Sequence, residues 1–499
     1  MYDLFKKLSK HLSIFAIASA LSKAVSFLLL PIYTRYLTPA DYGILELLSV
    51  TMAILNVIVI LGMSSAFFKV FTYDCESDSD QRLVVSTAFF FLLADSLFFF
   101  TILYFFAAPI STAMMRNSGY THLFVLMLFT GFLGINNLIP FGILRSRLES
   151  VKYTVIQFIQ FIVSVGLNIY FVVFLKQGIQ GILWSGVLGN LLGFLLLLPV
   201  LLRYLSFKVS FARLKQMLLF GVPMIPAGLG LWVMTVSDRY FLQYFSTTHE
   251  LGLYALGYKF ASIFEFLIIT PFITVWPSLY LSTAKKSEAP QIFARLFTYF
   301  WSALAFLLVL TTLLIKPVIH FITTPEFYAA HAVVPILVMA IILYGANQQL
   351  DIGLVIKERT KYLMYNSLTA AAINLLLNYL LIPAYGMMGA AVATLVAYLA
   401  NCILNFFFSQ RFYPIRYEWS RVLQISVIAG GLCLITEILP VNSLGYGLIW
   451  LPIVTAAYWL ALFFIGFFSP GEMAFIKGFY QRCRGELSRL AVSRKPIAP

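Results

Sequence analysis

The sequence predicts an all-α integral membrane protein of about fourteen transmembrane helices, with both termini on the cytoplasmic side. The prediction rests on the composition, the lengths of the apolar runs and the placement of Lys and Arg between them. Of 499 residues, 61% are hydrophobic and only 11% are charged, whereas a soluble domain carries roughly 25% charged residues. A chain this apolar cannot cover its surface in water, which excludes soluble enzymes and disordered proteins. The net charge of +14 does not point to nucleic acid, because the cations fall in twos and threes between apolar runs and form no basic stripe. Cys75, Cys402, Cys433 and Cys483 lack metal-ligand spacing, so neither a disulfide framework nor a metal site is expected.

A helix crossing ~30 Å of hydrocarbon needs ~20 mostly apolar residues. Fourteen segments meet that length, at about 11–36, 44–69, 83–107, 121–144, 152–175, 182–203, 215–237, 252–275, 292–316, 332–355, 362–382, 387–409, 421–440 and 446–468. The first follows Lys6, Lys7 and Lys10 and so imitates a signal peptide, but it stays apolar to about Leu37 and reads as a retained helix. In the third, Phe89 to Phe106 shows one charge and no alternation, which excludes barrel strands. The seventh carries Pro223 and Pro226 near its inner end, and the eighth carries Pro271 and Pro277; bends are expected at both places.

With the N-terminus inside, the inner loops and termini hold 27 Lys and Arg and the outer loops five, while Lys23 and Lys259 fall within spans. That asymmetry sets the orientation, and one missed helix would scramble it. The inner loop with Asp74, Glu76, Asp78 and Asp80 runs against the trend and reads only as a solvated turn. The basic tail 471–499 reads as a cytoplasmic amphipathic segment on anionic lipid.

The chain also repeats itself. Arg35, Gly43, Asn168, Gly178 and the loop at Arg145 are echoed by Arg239, Gly252, Asn378, Gly386 and the loop at Lys357, at offsets of 204, 209, 210, 208 and 212. A six-helix unit thus occurs twice, as lobes 1–206 and 207–412, followed by two extra helices at 413–470 and the tail. Six is even, so the lobes are parallel repeats related by an axis along the membrane normal, and a cleft between them can open to either side.

Pro31 with Arg35-Tyr36-Leu37-Thr38-Pro39-Ala40-Asp41-Tyr42-Gly43 resembles the signature of bacterial polysaccharide flippases of the Wzx type. So do Gly221-Val222-Pro223-Met224-Ile225-Pro226, Asp238-Arg239-Tyr240 and Gly252-Leu253-Tyr254. That family shares a superfamily with the lipid II flippases and the multidrug-and-toxin exporters. The resemblance covers about 1–470 and implies a fourteen-helix, V-shaped transporter. Its cargo would be a polyprenyl-pyrophosphate-linked oligosaccharide, such as an O-antigen unit, carried from the inner to the outer leaflet of the bacterial inner membrane by alternating access. No cofactor and no covalent chemistry are implied; the partners are the lipid-linked glycan, membrane lipids and other polysaccharide-assembly proteins. Lipid II flippases carry cavity cations in helices 1, 2 and 8, whereas the second span here has Glu46 and no cation before Lys69.

Ions inside the membrane are costly and so are candidates for function. Lys23 lies twelve residues into the first span and Lys259 seven into the eighth, about 18 Å and 10 Å at 1.5 Å per residue. Measured from the inner side the depths nearly match, one lysine per lobe, which suits a shared pyrophosphate; the competing reading is a lysine that snorkels to the interface. Arg35 and Arg239, at the predicted outer ends of the first and seventh spans, are further candidates for the pyrophosphate, or else cap helix C-termini. Asp95 and Glu265, near the middle of the third and eighth spans, could carry a coupling H+ or pair with a lysine; Na+ coupling stays open. Glu265 is six positions from Lys259 and points to another face of its helix. Asp351 and Glu437 lie near span ends and read as interfacial. The rivals are a multidrug-type exporter on the same fold, which should show an acidic cleft, and a lipid II-type flippase. A membrane glycosyltransferase would need a larger extramembrane region, and a passive scaffold would not need buried charge.

Overall fold

The computed structural model describes residues 27, 29–284, 286–439 and 443–468. Among them it is helical, with no strand. Among the described residues twelve helices are long and apolar enough to cross a membrane: Pro39–Ile60, Asp78–Phe105, Ser118–Ser146, Ser150–Phe174, Gly178–Tyr204, Phe211–Val236, Thr248–Pro277, Ala289–Ile322, Pro325–Ile356, Lys361–Phe412, Trp419–Ile438 and Leu444–Phe464. At 52 residues, Lys361–Phe412 would be about 78 Å long if straight, far more than one bilayer. It turns at Gly386 (φ 52°, ψ −131°) and covers the predicted spans at 362–382 and 387–409. Of the first predicted span only Leu30–Tyr36 is described as a helix; Lys23 and the basic tail lie outside the described residues.

Helix starts follow their capping residues. Thr38 accepts a hydrogen bond from Asp41 N while the Asp41 carboxylate accepts from Thr38 N, and Pro39 opens the helix Pro39–Ile60. Thr247 accepts from Glu250 N at the start of Thr248–Phe264 in the same way. Each Thr satisfies an N–H that the first turn would leave orphaned, and the two caps sit 209 residues apart, at the offset of the glycine pair in the repeat.

Three helices break where the sequence permits. The second span, expected to be continuous, divides at Leu61 and Gly62, both left-handed (φ 52° and 68°). A Cβ on Gly62 would come 2.4 Å from Gly221 O, so only glycine lets the two backbones meet there. The seventh span narrows to a 3₁₀ turn at Val222–Met224, in the Pro223–Pro226 region where a bend was expected. The eighth widens to a π turn at Glu265–Ile269, just before Pro271, whose ring nitrogen has no N–H for the carbonyl of residue 267.

The chain packs as two compact units, one of Met1–Phe272 with Ile319–Phe412 and the other of Ile273–Val318 with Tyr413–Pro499. In the second, Trp301 Nε1 donates to Ser426 Oγ at 3.0 Å, Tyr458 OH donates to Ser302 O at 2.9 Å, and Phe297 stacks on Trp301. All the candidate functional residues of the following section lie in the first unit.

Candidate functional site

In the first unit the helices Pro39–Ile60 and Thr248–Phe264 meet backbone to backbone. Gly43 and Gly252 face each other: a Cβ on Gly252 would lie 1.8 Å from Pro39 O, and one on Gly43 2.3 Å from Thr248 O. Small residues permit this approach in a membrane, where packing rather than water drives association. Glu250 extends the seam by accepting from Ser246 Oγ at 2.8 Å and from Met387 N at 3.0 Å, beside the Gly386 turn. At the predicted inner end, Arg213 forks onto Asp80 (2.5 and 3.2 Å) and Gln216 donates to Asp74 at 2.8 Å. The acidic 74–80 segment is therefore more than a solvated turn: it is tied to the helix Phe211–Gly221. Ser77 accepts from Asp80 N, and Asp78 and Asp80 occupy the first turn of Asp78–Phe105, where the helix dipole favours acids. Burial, with Asp80 adding to it, pushes the neighbouring Cys75 thiol up to about 11.

Next to the glycine seam lies a buried ionic cluster. Arg239, 2% exposed, donates to Asp238 Oδ1 and to Thr235 O, each at 2.7 Å, and to Glu46 Oε1 at 3.3 Å. Its guanidinium lies 4.2 Å from the Tyr258 ring centre. Asp238 also accepts from Tyr254 OH and from Thr394 Oγ1 (3.4 Å). Glu46 thus pairs with an arginine 193 residues further along the chain.

Lys259 is set one helical turn on from this cluster. Its Nζ lies 6.0 Å from the ring centre of Tyr33 and is electrostatically coupled to Glu46, while the adjacent Phe260 packs edge-on against Phe27. The ammonium makes no hydrogen bond or ion pair among the described residues. The structure thus brings Lys259, Arg239, Glu46 and Asp238 to one seam. It does not bring Asp95 there: Asp95 Oδ2 is buried without a hydrogen-bond partner and forms no ion pair with Lys259. Glu265 is coupled instead to Tyr258, Tyr344 and Tyr398. Arg35 is exposed in the last turn of Leu30–Tyr36, where a cation suits the helix C-terminus. Arg239, its partner in the repeat, departs from both sequence readings. It is no terminal cap, and its guanidinium is engaged by protein carboxylates.

A cavity of about 430 Å³ opens among helices of the first unit, walled largely by apolar side chains (Met234, Leu363, Met364, Leu368) with a polar strip along one side. Tyr344, Asn347 and Asp351 line it from one helix, and Tyr398, Asn401 and Asn405 from another. Both triplets have spacings of three and four, which places each on one helix face. Asn405 Nδ2 donates to Asn347 Oδ1 at 2.9 Å, and Asn366 Nδ2 donates to Asn405 Oδ1 at 2.6 Å. Asp351, read from sequence as interfacial, lines this cavity, and its carboxylate has no hydrogen bond or ion pair among the described residues. The paired Tyr/Asn/Asp and Tyr/Asn/Asn spacing was the signal that sequence reasoning passed over.

A family model described as polysaccharide biosynthesis protein matches residues 32–291, more than half of the chain. The chain belongs to that family. A comparison with curated protein sequences gives no match. Among solved structures, the lipid II flippase MurJ in an inward closed conformation superposes with a TM-score of 0.71 at 14% identity, over 90% of this chain and 97% of that one. An inward-facing multidrug resistance MATE family transporter of the MOP superfamily gives 0.63 at 12% identity, over 81% and 96%. The Vibrio cholerae MATE transporter VcmN, in a mutant form, gives 0.54 at 15%, over 82% and 98%. At these identities the likeness establishes the fold. This member of the polysaccharide biosynthesis family therefore has the multi-pass helical fold of those membrane proteins.

Proposed function

We propose that the protein carries a polyprenyl-pyrophosphate-linked oligosaccharide, the repeat unit of a surface polysaccharide, from the inner to the outer leaflet of a bacterial cytoplasmic membrane. The lobes 1–206 and 207–412 would rock about their seam, and the head group would pass between them. The observation that carries this reading is Lys259, a cation that faces Tyr33 and makes no hydrogen bond or salt bridge among the described residues, the acid that acts on it, Glu46, being taken by Arg239. A lysine at that depth is expensive unless it meets an anion, and a diphosphate stripped of water needs such a charge. Glu46 and Asp238 share the one guanidinium of Arg239, so with Lys259 the four charges sum to zero and a bound pyrophosphate calls for a further cation. Lys23 is proposed as the second cation, from the opposite lobe. Arg35, exposed near the predicted outer end, would meet the departing head group, and Arg239 would act by holding the seam. Asp95 is the proposed carrier of any coupling proton, because its carboxylate is partly buried and lacks a hydrogen-bond partner at Oδ2.

The test is complementation of surface polysaccharide in a flippase-null strain that makes the matching glycan, with membrane levels of each variant measured by blot. Lys259→Gln should lose most polysaccharide at normal protein level, and Lys259→Arg should restore part of it, because the attraction is Coulombic. Removing one partner of a desolvated charge contact weakens binding by about 2–5 kcal/mol. Normal polysaccharide from Lys259→Gln, with Lys23→Gln equally silent, would show that the pyrophosphate is held elsewhere.

A further inference from the structure

The cavity at Asp351 is not needed to hold a pyrophosphate, and its chemistry is wrong for one. Its ionisable wall is Asp351, which would repel an anion. What surrounds that carboxylate is a set of carboxamides, Asn347, Gln348, Asn401 and Asn405, with the rings of Tyr344 and Tyr398 edge-on to each other at 5.8 Å between centres. A sugar hydroxyl gives one hydrogen and accepts others. One carboxylate beside carboxamides can satisfy both roles on neighbouring hydroxyls, and the aromatic rings and the apolar remainder of the wall suit the apolar face of a pyranose. A lipophilic cation would use the carboxylate and the rings but make no use of the Asn347 and Asn401 carboxamides.

Two further observations point the same way. At about 430 Å³ the cavity falls within the usual range for small-ligand sites, and it suits a monosaccharide or a disaccharide. The amides are also held in place before any ligand arrives: Asn366, Asn405 and Asn347 are chained at 2.6 and 2.9 Å across three helical segments, so their orientations are fixed in advance. By the orientation that the Lys and Arg split predicts, Asp351 and Asn405 lie towards the inner ends of their helices, on the side where a newly assembled lipid-linked glycan is presented.

We propose that this cavity binds a sugar of the cargo, with Asp351 accepting from a pair of hydroxyls and the carboxamides donating to and accepting from their neighbours, while the pyrophosphate remains at Lys259. This assignment rests on the flippase reading for the identity of the cargo. It divides recognition in two: the seam reads the charge common to all such lipid carriers, and the cavity reads the sugar.

The test uses full-length protein in lipid nanodiscs and a panel of uncharged methyl glycosides of hexoses, 6-deoxyhexoses and N-acetylhexosamines, followed by saturation-transfer difference NMR. At least one glycoside should bind the wild-type protein. Asp351→Asn should weaken that binding at least about tenfold, the range for a hydrogen bond to a charged group. Ser367→Leu, which fills the cavity from a third helical segment without touching a charge, should weaken it as well, and size-exclusion profiles report whether each variant is folded. Inorganic pyrophosphate should not displace the glycoside. If no glycoside binds while Lys259→Gln still abolishes complementation, the sugar site is wrong and the flippase reading stands. If tetraphenylphosphonium binds through Asp351 and no glycoside does, the sugar site is wrong and the exporter reading gains. Binding that persists unchanged in both variants also overturns the assignment.

Discussion

Arg239 shows what one side chain can hold together. It is 2% exposed, and Asp238 and Glu46 both take its hydrogen bonds. One acid is its neighbour in sequence and the other lies 193 residues away. Removing the guanidinium leaves two carboxylates uncompensated in an apolar surround, which destabilises by about 3–5 kcal/mol. Arg239→Met should therefore lower the thermal unfolding midpoint of the detergent-solubilised protein and its membrane yield. Arg239→Met combined with Asp238→Asn should recover part of the loss, because the two groups are coupled. An unchanged midpoint for Arg239→Met would mean the cluster does not brace the seam. The sequence marked Arg239 as a partner of Arg35, and by that symmetry placed both at helix ends. Nothing local could reveal that Glu46 reaches it. Lys259 was legible because an ammonium in the middle of an apolar run is conspicuous wherever it points. Asp351 does lie at a span end, as the C-cap of Val334–Leu350, and that nearness hid its place on the face shared by Tyr344 and Asn347.

At the scale of the helices, the contacts that matter are made by residues without side chains. Gly43 and Gly252 let Pro39–Ile60 and Thr248–Phe264 touch, and Gly62 meets Gly221. The caps at Thr38 and Thr247, each a Thr followed three residues on by Asp or Glu, are a sequence signal that the reading of spans passed over. The proline-directed bend of the seventh span was readable. The break at Leu61 and Gly62 was not, since a single glycine in an apolar run is compatible with a continuous helix and here yields only because Gly221 abuts it. A methyl group at Gly252 must displace Pro39 O, so Gly252→Ala should hold the seam open at that end. In a chain with its four native cysteines replaced by serine, Thr248→Cys should then react several-fold faster with a membrane-impermeant maleimide applied from outside. Equal rates with and without Gly252→Ala would show that the seam does not gate access.

For the molecule as a whole, the all-helical membrane fold was legible because apolar run length and cation placement obey the bilayer rather than tertiary detail. The repeat was visible as five ordered markers. Gly178 and Gly386, paired by that repeat, share left-handed backbones at φ 54° and 52°, and Gly43 and Gly252 meet face to face. What sequence alone could not place was the inside of the lobes, where Asn366, Asn405, Asn347 and Asp351 come together from segments far apart in the chain. Reconstituting the protein in liposomes with a fluorescent, short-prenyl pyrophosphate-linked oligosaccharide, and exposing the vesicles to a membrane-impermeant glycosidase, asks directly whether cargo crosses. The account predicts that the protein renders the inner-leaflet pool cleavable and that Lys259→Gln slows this sharply at equal incorporation. A protected pool that stays protected, in vesicles where the same protein moves ethidium, would contradict it.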